Sequence, residues 1–228
     1  SSLIEYIRQM KFNFDWVIMS GGPFMQFGIA KYLKSEFGVK VLLDFRDPFA
    51  RNPRFNNSLL KVAIKSFFER RFIEAADQIV TVNERCVELL RHKGIPASKY
   101  TVIQNGYDEM TIEAVSADRN QGDSTVDMIY SGSFFDDRNP VNMLKVLGQD
   151  THKASFSFTH VGRPSAYVDS FKDQENVHQL GLMTYEKTLE QVMKADIGLI
   201  FTSGKAFEST TKIFDYIGLD KPILIVTE

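Results

Sequence analysis

Short apolar runs recur along the chain, each followed by a longer amphipathic stretch, and no other feature constrains the fold as tightly. A run such as Val39–Phe45 would be apolar on both faces of an extended strand. Only a parallel sheet with helices on both sides buries such a strand. The same pattern predicts strands at Trp16–Met19, Gln78–Val82, Thr101–Ile103, Val126–Tyr130, Ser155–Val161, Val177–Leu180, Ile197–Phe201 and Ile223–Val226. Between them, 3.6-residue periodicity predicts helices at Phe24–Phe37, Ser58–Ala75, Glu84–His92, Pro140–Leu147, Thr184–Lys194 and Thr210–Ile217. Gly38 is placed to end the first of these. Strand–helix alternation of this kind gives an α/β fold with right-handed crossovers.

The polar, turn-rich segment Ser116–Thr125 interrupts the alternation and reads as a linker. It divides the chain into two Rossmann-like parallel-sheet domains, residues 1–117 and 118–228. Their charges differ, with 16 basic and 13 acidic residues in the first against 11 and 16 in the second. The first run lacks an opening strand–turn–helix and the second stops on a strand. The N-terminal domain is therefore expected to be incomplete and the chain truncated.

A net charge of -2 provides no field for nucleic acid. The single cysteine, Cys86, excludes a disulfide within the chain and a Cys-rich metal site, and it reads as a buried thiol in a reducing, cytoplasmic setting. No apolar run is long enough to span a bilayer, and no signal peptide is visible. Neither G-x-G-x-x-G nor a P-loop is present. His92, His152 and His178 read as surface or helix-end residues, while His160 ends a strand before Gly162 and is expected to face a cleft.

The segment Phe207–Val226 carries the most chemistry. Ser209, Thr210 and Thr211 precede a helix bearing Lys212 and Asp215. A helix start attracts phosphate, hydroxyls and a Lys add donors, and a carboxylate one turn on can accept ribose hydroxyls. Spacing alone equally allows a capped amphipathic helix with an i,i+3 Lys–Asp pair.

This segment resembles the donor-binding end of the family-four retaining glycosyltransferases of the group-1 type, which have the two-Rossmann-domain GT-B fold. Aligned on Lys221-Pro222, the ribose-binding acid of that family falls on Asp215. The family's first acidic position falls on Phe207, one residue before Glu208. Ile129–Pro140 resembles the family's diphosphate loop, with Gly132 at the glycine, Ser133 where the family has a basic residue, and Arg138 at the second basic position. A salt bridge from Arg138 to Asp136 or Asp137 is the alternative. Asp15–Pro23, Val41–Phe49, Ala76–Asn83 and Val102–Asp108 resemble successive segments of the family's N-terminal domain.

The resemblance implies a glycosyltransferase that moves sugar from a UDP- or GDP-sugar to a saccharide or lipid-linked acceptor in surface polysaccharide synthesis. Its donor site would be Gly132, Ser133, Arg138, Ser209, Thr210, Thr211, Lys212 and Asp215. Gly21, Gly22 and Arg46 would lie on the acceptor side, and Asp47 and Glu208 would be the catalytic carboxylates, Asp47 positioning the acceptor or stabilising charge with retention and acting as general base with inversion. Asp44, Arg46 and Asp47 equally form a structural ion-pair cluster on paper, and Asn105-Gly106 reads as a tight turn with φ > 0 at the glycine. No cofactor or metal is implied, since the Asp-x-Asp motif of the other glycosyltransferase fold is absent. An epimerase on the same fold and a non-catalytic nucleotide-sugar-binding module are the rival functions. Leu59–Phe72 interleaves apolar residues with Lys61, Lys65, Arg70 and Arg71, which fits either peripheral contact with the inner face of a membrane or a core helix with a solvated basic face.

Overall fold

The computed structural model describes residues 2–9, 14–55, 58–115, 125–149, 155–204 and 210–227. Two compact units divide between Gln104 and Asn105, ahead of the 117/118 boundary expected from composition. Most of the expected linker, along with His152, Glu208 and Ser209, lies outside the described residues.

The first unit holds α1 (Ser2–Gln9), β1 (Trp16–Ser20), α2 (Ala30–Phe37), β2 (Lys40–Phe45), α3 (Leu59–Ala75), β3 (Gln78–Thr81), α4 (Glu84–Leu90) and β4 (Tyr100–Val102). The four strands are parallel in the order β1-β2-β3-β4. Val41, Leu43 and Phe45 of β2 are fully buried and meet Phe27, Phe72, Ile79 and Leu90 in one core. Each such side chain contributes roughly 1.5–3 kcal/mol by leaving water. The expected single helix Phe24–Phe37 is divided, with 3-10 geometry over Phe24–Ile29 and α geometry from Ala30. Gly38 closes it at φ 67, its N–H bonded to the Lys34 carbonyl, as a left-handed C-cap requires. Ser58 and Asn83 cap α3 and α4 by accepting from Lys61 N and Cys86 N.

The second unit holds α5 (Glu109–Ala114), β5 (Val126–Ser131), α6 (Val141–Leu147), β6 (Phe156–Val161), α7 (Ala166–Asp169), β7 (Val177–Gly181), α8 (Tyr185–Lys194), β8 (Ile197–Thr202), α9 (Lys212–Gly218) and β9 (Ile223–Thr227). Its five strands are parallel in the order β7-β6-β5-β8-β9. The period-two alternation of a strand sends Met128 and Tyr130 into one apolar cluster and Ile129 into another, so both faces of the sheet are covered. Strand order reverses at β5 and β8, the topological switch point where ligands of open α/β sheets bind. No such reversal occurs among the described strands of the first unit.

Asn105-Gly106 departs from expectation. Gly106 has no positive φ, and α5 follows close behind. Tyr107 packs where a Cβ on Gly218 would stand, 2.9 Å from its ring, which helps tie α5 to α9. A loop glycine with open space around it needs no turn.

Candidate functional site

A pocket of about 410 Å³ opens at the carboxyl ends of β5 and β6, beside the start of α9. Gly132, Gly162, Tyr185, Thr211, Lys212 and Asp215 are among the residues around it. Four of the expected donor residues, Gly132, Thr211, Lys212 and Asp215, thus converge on one surface.

The position of α9 follows from packing behind it. Tyr216 is fully buried, and its ring occupies the space of a Cβ on Gly198, 2.6 Å away. With Tyr216 seated against β8, the residue before it turns outward. Lys221, the residue that anchors the family alignment, proves structural. Its Nζ donates to the carbonyls of Met193 and Ala195 at 2.5 and 2.6 Å, satisfying the orphan end of α8.

Gly132 has φ +133, a conformation that only glycine adopts without strain. Its missing side chain makes room for Lys212, because a Cβ there would stand 2.4 Å from Lys212 Cε. The Gly132 N–H is committed to the Val161 carbonyl at 2.7 Å. Gly132 therefore serves by giving space rather than by donating. Lys212 Nζ lies 5.1 Å from the centroid of the Tyr130 ring. Burial, and then the like charge of Arg138, push the Lys212 pKa down to about 8, against the opposing pull of Asp215. Burial likewise raises Tyr130 to about 12.

Asp215 accepts the Tyr185 hydroxyl at 2.7 Å. Burial raises the Asp215 carboxyl above its ordinary range, while Tyr185 and Lys212 pull it back down. Burial and the neighbouring Asp215 together raise Tyr185. Nothing in the local sequence marks Tyr185 as a partner of Asp215, because the two stand on different helices 30 residues apart.

Arg138 lies within electrostatic reach of Lys212, its guanidinium 4.6 Å from the Phe135 ring centroid at the end of a short turn. The Asp136 carboxylate instead accepts the Tyr167 hydroxyl. The Ser133 carbonyl accepts the Tyr130 hydroxyl at 3.0 Å. Thr211 is the N-cap of α9 but makes no side-chain cap bond, contrary to the expected hydroxyl cap, because its own backbone is already helical. Thr210 is half-buried just before it.

His160 does not face the pocket. It is fully buried, with Nε2 2.7 Å from the Gly132 carbonyl and Nδ1 3.1 Å from Gln179 Oε1. Gly162 permits this approach, since a Cβ there would stand 2.3 Å from the Gly132 oxygen. The sequence does carry a signal for Gly162: β5 and β6 each end one residue before a glycine, at Ser131-Gly132 and Val161-Gly162.

In the first unit, the expected acceptor-side residues cluster less tightly. Gly21 donates to the Asp44 carbonyl at 2.9 Å, and a Cβ on it would meet Phe24 at 2.7 Å. Gly22 follows with φ 74 and a cis bond to Pro23. Asp44 accepts the Ser20 hydroxyl at 2.8 Å, while Asp47 pairs with Arg54 at 3.6 Å. Within the Asp44–Arg46–Asp47 group, Asp44 is thus met by Ser20 and Asp47 by Arg54. His92 stands just past the end of α4, with its side chain largely buried. It meets the fully buried Glu69 at 2.9 Å, and that carboxylate also accepts from Phe49 N and Ala50 N at 3.1 and 2.8 Å. Cys86 is buried as expected, and burial raises its thiol. Among the described residues, no group of three His, Cys, Asp or Glu side chains is placed to hold a metal, and no helix is long and apolar enough to cross a membrane.

Residues 1–110 match the model of Glycosyltransferase Family 4. No curated protein matches the chain. Among solved structures, it is similar to Anabaena Alr3699/HepE in complex with UDP and glucose at 14% identity and a TM-score of 0.66, covering 99% of this chain and 62% of that one. Sucrose-phosphate synthase from Thermosynechococcus elongatus gives 12% and 0.71, covering 97% and 58%. A glycosyltransferase from Rickettsia africae gives 14% and 0.70, covering 98% and 60%. The chain thus spans about three-fifths of the length of these proteins. The chain carries the two-sheet GT-B fold of these structures, and its first 110 residues are similar to Glycosyltransferase Family 4.

Proposed function

We propose that the second unit binds the nucleotide diphosphate of a UDP- or GDP-sugar and that the protein transfers the sugar to a saccharide or lipid-linked acceptor. The observation that carries this reading is the convergence of Gly132, Lys212 and Asp215 on one pocket at the switch point of the sheet. Lys212 and Arg138 supply positive charge to the diphosphate, and Asp215 accepts the ribose hydroxyls. A structural neighbour of this fold was crystallised with UDP and glucose.

In the transfer, the bond from the anomeric carbon to the diphosphate oxygen breaks and the nucleoside diphosphate leaves with the electron pair. The acceptor oxygen forms the new glycosidic bond, and its proton passes to the departing phosphate. Lys212 and Arg138 hold the charge that grows on the leaving group. The similarity of residues 1–110 to Glycosyltransferase Family 4 supports retention of configuration, with Asp47, Arg46, Gly21 and Gly22 on the acceptor side. Glu208, Ser209 and Thr210, on the approach to α9, complete the donor side in this reading, and the product serves surface polysaccharide.

Helix α3 favours a lipid-linked acceptor. Leu59 and Leu60 are 90% and 71% exposed, and Ile64 and Phe67 are also exposed, beside Lys61 and Lys65. Such a face suits the anionic inner surface of a membrane. Calorimetric titration with UDP, GDP and their sugars, on the wild type and Asp215→Ala, tests the donor site. Saturable binding that weakens in the variant is expected. A folded wild type that binds neither nucleotide refutes the proposal.

A further inference from the structure

The loop Ile129–Pro140 has Ser133 where the resemblance to family-four glycosyltransferases implies a basic residue. His160 is fully buried under the loop, and the direction of each hydrogen bond around it can be settled by accounting. The Gly132 carbonyl, 2.7 Å from Nε2, only accepts, so Nε2 carries a proton. Gln179 lies on the other side of the ring. Its Oε1 receives the Ser165 N–H at 2.9 Å, and its Nε2 donates to Asp169 Oδ1 at 2.7 Å. Turning that amide over would set an NH₂ against the Ser165 N–H and an oxygen against the Asp169 carboxylate. The amide is therefore fixed with Oε1 toward His160 Nδ1 at 3.1 Å. A bare Nδ1 would face that oxygen lone pair to lone pair, so Nδ1 also carries a proton.

We infer that His160 is held as a doubly protonated imidazolium and that its charge supports the donor diphosphate in place of the basic residue missing at Ser133. The role rests on the donor-site reading given above. The charged groups around the ring bear on it in both directions. Tyr130 of β5 lies nearly parallel to the imidazole at 6.1 Å, and Phe134 is tilted against it at 4.8 Å. Lys212 of α9 lies beyond Tyr130, with Arg138 near it, and both oppose a further cation. Asp169 of α7 opposes them through Gln179. Two acceptors and a carboxylate one bond further away offset the cost of burying the charge. An anion in the pocket would complete the balance.

Long-range ¹H–¹⁵N spectra of the wild type at pH 7.5, with the His160 signals identified by their loss in His160→Gln, read the protonation directly. Both ring nitrogens are expected to carry protons, where an exposed histidine is mostly neutral. One bare nitrogen overturns the inference. Gln179→Leu removes the acceptor facing Nδ1, so His160 should lose its second proton at that pH, and retention of both protons refutes the accounting. In calorimetry, His160→Gln can still donate to the Gly132 carbonyl but lacks the charge, and it should bind UDP about tenfold more weakly with unchanged affinity for uridine. Equal UDP affinity overturns the role while leaving the donor site intact. A wild type with two ring protons that binds no UDP overturns the donor reading, and the role with it, but not the protonation.

Discussion

Replacing Lys212 by Met should stabilise the second unit and abolish tight nucleotide binding at the same time. Lys212 occupies the space left by Gly132, and its pKa falls from 10.5 to about 8 through burial and through Arg138. At 1.36 kcal/mol per pH unit, that drop corresponds to about 3 kcal/mol held against the folded state. Solvent reaching the half-buried chain trims it to roughly 1–3 kcal/mol. The sign follows from proton binding. Below pH 8 the lysine is charged in both folded and unfolded chains, and the full cost is present. Between pH 8 and 10.5 the unfolded chain keeps a proton that the folded chain releases, so wild-type stability rises with pH. Lys212→Met removes the cost with a side chain of similar reach. Its advantage in urea denaturation should be greatest at pH 7 and shrink toward pH 10.5. UDP should restore the lysine's charge, so wild-type binding at pH 8.5 takes up protons, measurable by calorimetry in buffers of different ionisation enthalpy. A variant no more stable than wild type at pH 7, or a difference that does not change with pH, refutes the reasoning.

Asp215→Asn should lose about 10–100-fold in UDP affinity, since a hydrogen bond to a charged acceptor is worth roughly 1.5–3 kcal/mol. It should also lose the preference for UDP over 2′-deoxy-UDP, and an undiminished preference places the ribose elsewhere. Gly132→Ala would force a Cβ to within 2.4 Å of Lys212 Cε at φ +133. It should cost about 1–3 kcal/mol of stability and weaken UDP binding, both measurable on one purified sample. Glu69→Leu leaves the N–H groups of Phe49 and Ala50 and the His92 ring without their buried acceptor. Thermal denaturation should show a loss of about 3 kcal/mol in the first unit, with UDP affinity unchanged.

The architecture was legible because it is written in local periodicity. Continuous apolar runs such as Ile197–Phe201 declared a parallel sheet, and Gly38, Ser58, Asn83 and Thr184 act as the caps their residue types imply. Lys212 and Asp215 were legible as a pair, since a helix fixes what lies one turn away. What local pattern does not carry is the choice among partners brought together by folding. Thr211 is a hydroxyl at a helix start, yet it does not cap, because its backbone is already helical. Glu69 looks like one charge on a basic helix, yet it is fully buried by loop N–H groups and by a histidine 23 residues away. Asp47 and Arg46 are adjacent in sequence, yet Asp47 pairs with Arg54. Helix α5 was missed because its short periodic stretch follows a turn signal that the backbone does not use.

The pocket beside α9 is specified less by any one residue than by the exclusion of one side chain by the next. Lys212 Cε stands where a Cβ on Gly132 would be, and the Gly132 carbonyl stands where a Cβ on Gly162 would be. His160 reaches that same carbonyl from within the sheet. Adding a methyl group at Gly132 displaces Lys212, and adding one at Gly162 displaces Gly132 and with it the partner of His160. The depressed lysine, the left-handed glycine and the buried histidine are thus consequences of one close approach between the ends of β5 and β6 and the start of α9. Burying Lys212 costs stability, as the depression of its pKa shows. On the proposed donor reading, an anion in this pocket would offset the cost of burying Lys212.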